Sequence, residues 1–80
     1  MKIPAIKKAV EQYSLDQLRK AEADLYEEKA LEIEIEGEDE GEQLTHVLAG
    51  IWIKETMIEK GMDFKEALRS YTLRVRNSIS

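Results

Sequence analysis

One stretch constrains this chain more than any other: Val47-Leu48-Ala49-Gly50-Ile51-Trp52-Ile53 contains no polar side chain. It sits inside a helical pattern predicted from about Gly41 to Lys60. Gly61 follows, the residue type that closes helices in the left-handed conformation. A helix that is apolar all round must be covered on several sides, so it is central to the domain or to a dimer. At about 100° per residue, Leu44, Val47, Leu48, Ile51, Trp52 and Ile58 fall on one broad face. His46, Gly50, Ile53 and Met57 form a second, narrower seam, and Gly50 leaves room there for another backbone. Two faces need two partners. The expectation is intrachain helices on the broad face and a second copy of the chain on the seam.

The flanking segments supply three more helices. Ile3-Pro4 opens the first, proline being suited to a position that needs no amide hydrogen. Ile6, Ala9, Val10 and Tyr13 continue its apolar stripe. Ser14-x-x-Gln17 has the form of a capping box and starts a second helix over about Leu15–Lys29, with Leu15, Leu18, Leu25 and Tyr26 on its buried face. Asp63-x-x-Glu66 repeats the signal for a last helix, whose core stripe is Phe64, Ala67, Leu68, Tyr71, Val75 and Ile79.

Between the second and third helices the period changes. Leu31-Glu32-Ile33-Glu34-Ile35-Glu36 alternates strictly, which predicts a half-exposed β-strand. Residues 37–41 read as an acidic turn. A strand needs a partner for its backbone donors and acceptors, and no second alternating segment exists in the chain. It either pairs with its copy across a two-fold axis or lies extended against a helix. The first is the expectation, as two-fold axes are the commonest symmetry of small homo-oligomers. The predicted fold is therefore mainly α: four helices with one β-strand inserted between helices 2 and 3, the strand pairing across a homodimer. Leu31, Ile33, Ile35, Gly50, Ile53 and Met57 are its expected contacts.

Size and charge narrow the functional classes. Eighty residues hold one domain, residues 1–80. The chain has no cysteine, which removes disulfides, thiolate-bound metals and thiol redox chemistry. No apolar run has the length of a membrane span, and the N-terminus does not read as a signal peptide, so a cytoplasmic location is expected. The formal charge of −5 is uneven. Residues 27–42 hold nine carboxylates against Lys29, whereas residues 63–80 are mildly basic. The acidic segment 32–42 is a candidate docking element for a basic protein partner.

Chemistry-bearing constellations are few. His46 is the only histidine and no serine lies in a nucleophile turn, so covalent hydrolysis is not expected. Glu42 and His46, at i and i+4, could hold a divalent metal with neighbouring carboxylates. The loop lacks the calcium pattern, however, and the more ordinary role for such a histidine is an ion pair. Glu55 falls inside the arc of Leu48, Ile51, Trp52 and Ile58. An acid in an apolar stripe must pair, protonate or reach solvent, so it is either a ligand-binding carboxylate or half of a salt bridge. The last two helices, joined at Gly61–Asp63, have the outline of a helix-turn-helix with Arg69, Arg74, Arg76 and Asn77 toward DNA, but an acidic molecule opposes nucleic-acid binding.

Ile35-Glu36-Gly37-Glu38-Asp39-Glu40-Gly41-Glu42, leading into Leu44-Thr45-His46-Val47-Leu48-Ala49, has a recognisable pattern. With the opening Met1-Lys2-Ile3-Pro4 and the closing Val75-Arg76-Asn77-Ser78, it resembles a family of small uncharacterised proteins of Bacteroidota over essentially the whole chain. That resemblance implies no activity, cofactor or catalytic residue. Taken together, the sequence reads as a homo-oligomeric interaction or accessory module without cofactor rather than an enzyme. A carboxylate-based ligand or metal site on Glu42, His46 and Glu55 is the alternative, and DNA binding the second alternative.

Overall fold

The computed structural model describes residues 2–79. It contains four helices: α1 (Ile3–Gln12), α2 (Leu15–Tyr26), α3 (Glu40–Lys60) and α4 (Phe64–Ile79). Their ends follow local chemistry. The Ser14 hydroxyl accepts the Gln17 amide hydrogen at 3.2 Å, and the Gln17 side chain accepts from the Ser14 amide at 2.9 Å. Asp39 and Asp63 accept from the amides of Glu42 and Glu66, at 2.8 and 2.9 Å. Each places a carboxylate at the positive end of a helix. Gly61 closes α3 at φ 65°.

Helix α2 ends three residues before the expected Lys29. Glu28 adopts φ 58°, and the amides of Glu28 and Lys29 turn back onto the carbonyls of Leu25 and Asp24. This is a Schellman ending built on a residue other than glycine, so no glycine marks it in the sequence.

Helix α3 is central, packing against α1, α2 and α4. One core cluster joins Ala9, Leu18, Ala21, Leu25, Ile35 and Val47; a second joins Ile6, Val10, Ala49, Ile53 and Ala67. Along α4 the expected stripe packs inward through Ala67, with Phe64, Leu68 and Tyr71 half-buried beside it. The Ile79 side chain lies outside the described residues.

One expectation is overturned. Among the described residues there is no β-strand. Residues 31–36 bend at Glu32–Ile33 and are not helical, with Ile35 buried, Leu31 and Ile33 half-buried, and Glu32, Glu34 and Glu36 exposed. The period of two is therefore genuine, but the segment is a strap over the helices. Side chains replace the missing ladder: the Glu34 amide donates to the Tyr13 hydroxyl at 3.1 Å, and Gln43 Nε2 donates to the Ile35 carbonyl at 2.9 Å. The backbone demand that suggested a second strand is thus met by Tyr13, Gln43 and His46 of the same chain. Gly37 lets the strap turn onto α3, since a Cβ there would lie 2.7 Å from Gln43 Cγ and 2.8 Å from its amide nitrogen.

The second seam of α3 is covered within the chain, and so is part of the broad face, where Val47 is buried. Gly50 and Ile53, expected against a second copy, are buried within one chain, and Met57 packs beside them. A Cβ on Gly50 would meet Leu18 Cδ1 at 3.7 Å, Val10 Cγ2 at 3.8 Å and Ala9 Cβ at 4.0 Å. These are ordinary contacts made by α1 and α2. The broad face, by contrast, is partly open: Leu48 and Ile58 are exposed, Leu44, Ile51 and Trp52 half-buried.

Because an extra methyl fits at Gly50, Gly50→Ala is expected to raise stability by about 0.5–1 kcal/mol, through the lower backbone entropy of the unfolded chain. Urea denaturation measures this. A loss of stability would mean that α1 approaches more closely than described.

Candidate functional site

His46 projects from the second turn of α3 and is buried. Its Nδ1 lies 2.7 Å from the Glu36 carbonyl oxygen, and its Nε2 lies 3.0 Å from the Lys2 amide nitrogen. A carbonyl can only accept and an amide N–H can only donate. The ring is therefore neutral, with its proton on Nδ1 directed at Glu36 and its Nε2 lone pair taken by Lys2. One side chain ties α3, the strap and the start of α1 together. Both ring nitrogens are occupied, leaving no lone pair for a metal while these bonds stand. Glu42, four residues earlier, has a buried Oε1 without a hydrogen-bond partner. Among the described residues, no group of three or more histidine, cysteine, aspartate or glutamate side chains could hold a metal ion.

Glu55 does lie in the open apolar face. Its Oε2 accepts from Arg19 Nη2 of α2 at 2.7 Å, with 42% of the glutamate side chain and 52% of the arginine exposed. The charge is answered by a neighbouring helix and by water. On α4, Arg74 lies over the Trp52 ring, 5.9 Å from its centroid, and Tyr71 packs at 5.6 Å on the same indole. One of the four side chains expected toward DNA is thus laid along the protein's own aromatic pair; Arg69, Arg76 and Asn77 are exposed.

The acidic segment is partly neutralised from within. Lys2 approaches Glu38 at 3.9 Å, Lys8 approaches Glu36 at 3.4 Å, and Lys20 holds Glu32 at 2.8 Å. These lysines of the N-terminal region and α2 face the strap. That complementarity guides where the strap lies, although exposed pairs add little stability individually.

Sequence reasoning missed two features. The Lys54 ammonium donates to the carbonyls of Val10 and Tyr13, at 2.8 and 2.6 Å. It thereby satisfies orphan acceptors where α1 ends. Asp24 is the second. It belongs to the buried face of α2, its carboxylate 3% exposed, and Oδ1 accepts from Lys20 Nζ at 2.7 Å. The i,i+4 spacing of Lys20 and Asp24 is legible in the sequence; the burial of Asp24 is not. Lys20, Asp24 and Glu32 share a cleft of about 330 Å³ with Asp16, Gln17, Ala21 and Ile33. The hydrogen bond to Asp24, and then that to Glu32, raises the Lys20 ammonium above the ordinary lysine pKa.

A model of a family of unknown function, DUF6952, matches residues 1–80. The chain belongs to the DUF6952 family. No curated protein and no solved structure matches it. No helix among the described residues is long and apolar enough to cross a membrane.

Two substitutions probe these clusters. His46→Leu keeps the volume roughly constant but strands the Lys2 amide and the Glu36 carbonyl. A loss of about 2–5 kcal/mol is expected by urea denaturation; a change under about 0.5 kcal/mol would show that the ring does not tie the strap. For Lys20 the folded-state pKa is raised. Its contribution is complete below the unfolded value of about 10.4 and is lost as pH rises through the higher folded value. The stability gap between wild type and Lys20→Met should accordingly be constant from about pH 6 to 9 and shrink in stronger alkali.

Proposed function

We propose that this DUF6952 chain is a homo-oligomeric interaction module without catalytic activity, which associates through the open face of α3 in the cytoplasm of its bacterial host, in keeping with its resemblance to proteins of Bacteroidota. The observation that carries this reading is the exposure of the broad apolar face. Leu48 is 37% and Ile58 66% exposed, on a helix whose opposite seam is buried. Tyr26, 63% exposed, stands two turns beyond Arg19 on the same face of α2, the face that reaches Glu55. Tyrosine, tryptophan and arginine are the side chains most often decisive at interfaces.

A second copy is the occupant that the charge distribution favours. In a two-fold contact each surface meets itself, so it must not repel itself. The strap, dense in carboxylates, fails that condition. The α3 face comes nearer to meeting it, because Glu55 at its middle is neutralised by Arg19 of the same chain and Glu59, toward its end, adds a single further acid. Apolar area buried there would contribute roughly 25 cal/mol per Å² before the costs of association.

Sedimentation equilibrium tests this at concentrations up to about 100 μM, a Kd of 1 μM corresponding to about −8.2 kcal/mol. Wild type is expected to dimerise and to remain dimeric in high salt, as an apolar contact should. Leu48→Asp is expected to be monomeric with an unchanged circular dichroism spectrum. A wild-type monomer throughout, or a Leu48→Asp dimer as tight as wild type, overturns the reading.

A further inference from the structure

Charge is divided over this molecule in a way that the α3 contact leaves unused. Lys2, Lys8, Arg19, Lys20 and Lys29 each have a carboxylate within 3.9 Å. By contrast, Lys65, Arg69 and Arg76 of α4 are exposed and make no ion pair among the described residues. At about 100° per residue they fall, with Thr72, inside an arc of about 60°, and at about 1.5 Å per residue the row is about 17 Å long. Leu73, 49% exposed, borders the row and gives this face an aliphatic side chain to bury. Helix α4 carries four cations against the single acid Glu66, although the whole chain carries −5. The uncompensated acids lie elsewhere. Glu34 and Glu40 are exposed without an ion pair among the described residues, and Glu38 is 81% exposed, its approach to Lys2 as long as 3.9 Å.

We propose that the outer face of α4 docks on the acidic segment 34–40 of a second copy, in a contact separate from the α3 face. The strap cannot face itself across a two-fold axis, because like charges repel, but the α4 row presents it with the opposite sign. Arg69 and Arg76 suit this role, since a guanidinium fork takes a carboxylate through two parallel N–H···O bonds. Duplex nucleic acid and an anionic bilayer are poorer occupants. Either extends past a row of about 17 Å and meets the rest of the chain, where acids outnumber cations. A second copy brings only one segment to α4. Nor does the net charge of two copies prevent the contact. At about 0.1 M salt the Debye length is about 10 Å, while each body spans 31 × 28 × 19 Å. Repulsion between distant carboxylates is screened, and pairs in contact keep their attraction. Exposed pairs are individually weak, so the association is weak and salt-sensitive. Being heterologous, it can repeat from copy to copy.

Complementation between two variants tests the contact, with Leu48→Asp in both so that the α3 face plays no part. Translational diffusion is measured by nuclear magnetic resonance at about 1 mM protein, which populates contacts with a Kd near that value. Leu48→Asp alone is expected to diffuse as an associated species at about 0.1 M salt and as a monomer at about 1 M. Adding either Arg69→Gln with Arg76→Gln, or Glu34→Gln with Glu40→Gln, should give a monomer at both salts. Mixed in equal amounts at the lower salt, these two variants should pair one to one and no further, because one keeps the strap and the other keeps the α4 row. With the Arg69→Gln, Arg76→Gln variant isotopically labelled, amide shift changes should centre on residues 34–40 and saturate. Association that survives in either variant alone, persists unchanged at about 1 M salt or fails to return in the mixture overturns the proposal. Retardation of a DNA duplex by the wild type, together with a mixture that does not pair, would assign α4 to nucleic acid and overturn it equally. The α3 contact is judged separately, on wild type at high salt and lower concentration, where this contact is empty.

Discussion

The burial of one seam of α3 against α1 and α2 is the constraint on which the rest of the molecule depends. A chain of 80 residues has little interior, and its most apolar helix takes most of it. Ala9, Val10 and Leu18 bring α1 and α2 against the seam, while Ala49, Ile53 and Ala67 pack α4 beside it. Once three neighbours occupy these positions, no fourth helix remains for the broad face. Its exposure follows from the number of helices, and so does the proposal that another copy covers it.

The strap follows from the same arrangement. A non-helical segment with three buried or half-buried aliphatic side chains gains from lying beside α2 and α3, but its peptide groups must keep partners. Tyr13, Gln43 and His46 supply them from helices already fixed by the core. His46 carries the largest share, because the same ring also receives the Lys2 amide just before α1. Here a buried polar side chain specifies geometry rather than adding bulk stability: its two nitrogens accept only one arrangement of donor and acceptor. The carboxylates of the strap point outward to lysines, and one lysine sits in the cleft with a buried aspartate.

Much of this was legible in the sequence. The capping Ser14 and Asp63, the terminal glycine of α3 and the apolar stripes mark the helices, since these signals act within a few residues. The glutamate in the apolar arc of α3 was also visible as an oddity, and its partner Arg19 belongs to the salt-bridge outcome that the sequence allowed. The end of α2 was hidden because Glu28 takes the left-handed position without being glycine. Lys54 and Asp24 gave almost no signal. Their roles depend on where α1 ends in space and on which side chains of α2 are buried.

By itself, the amino-acid sequence determined which segments are helical, where they begin, that residues 31–36 expose alternate side chains, and that α3 is central. Those properties depend on periodicity and on contacts between residues close in the chain. Only the tertiary structure decided which face of α3 is buried, whether the alternating segment finds a strand or a set of side chains, and which polar groups meet. Hydrophobic periodicity states that two faces need cover, but it is silent on which helix covers which. Similarly, a strand and a strap share the same period of two, and they differ only in whether their hydrogen bonds go to a backbone or to side chains distant in sequence.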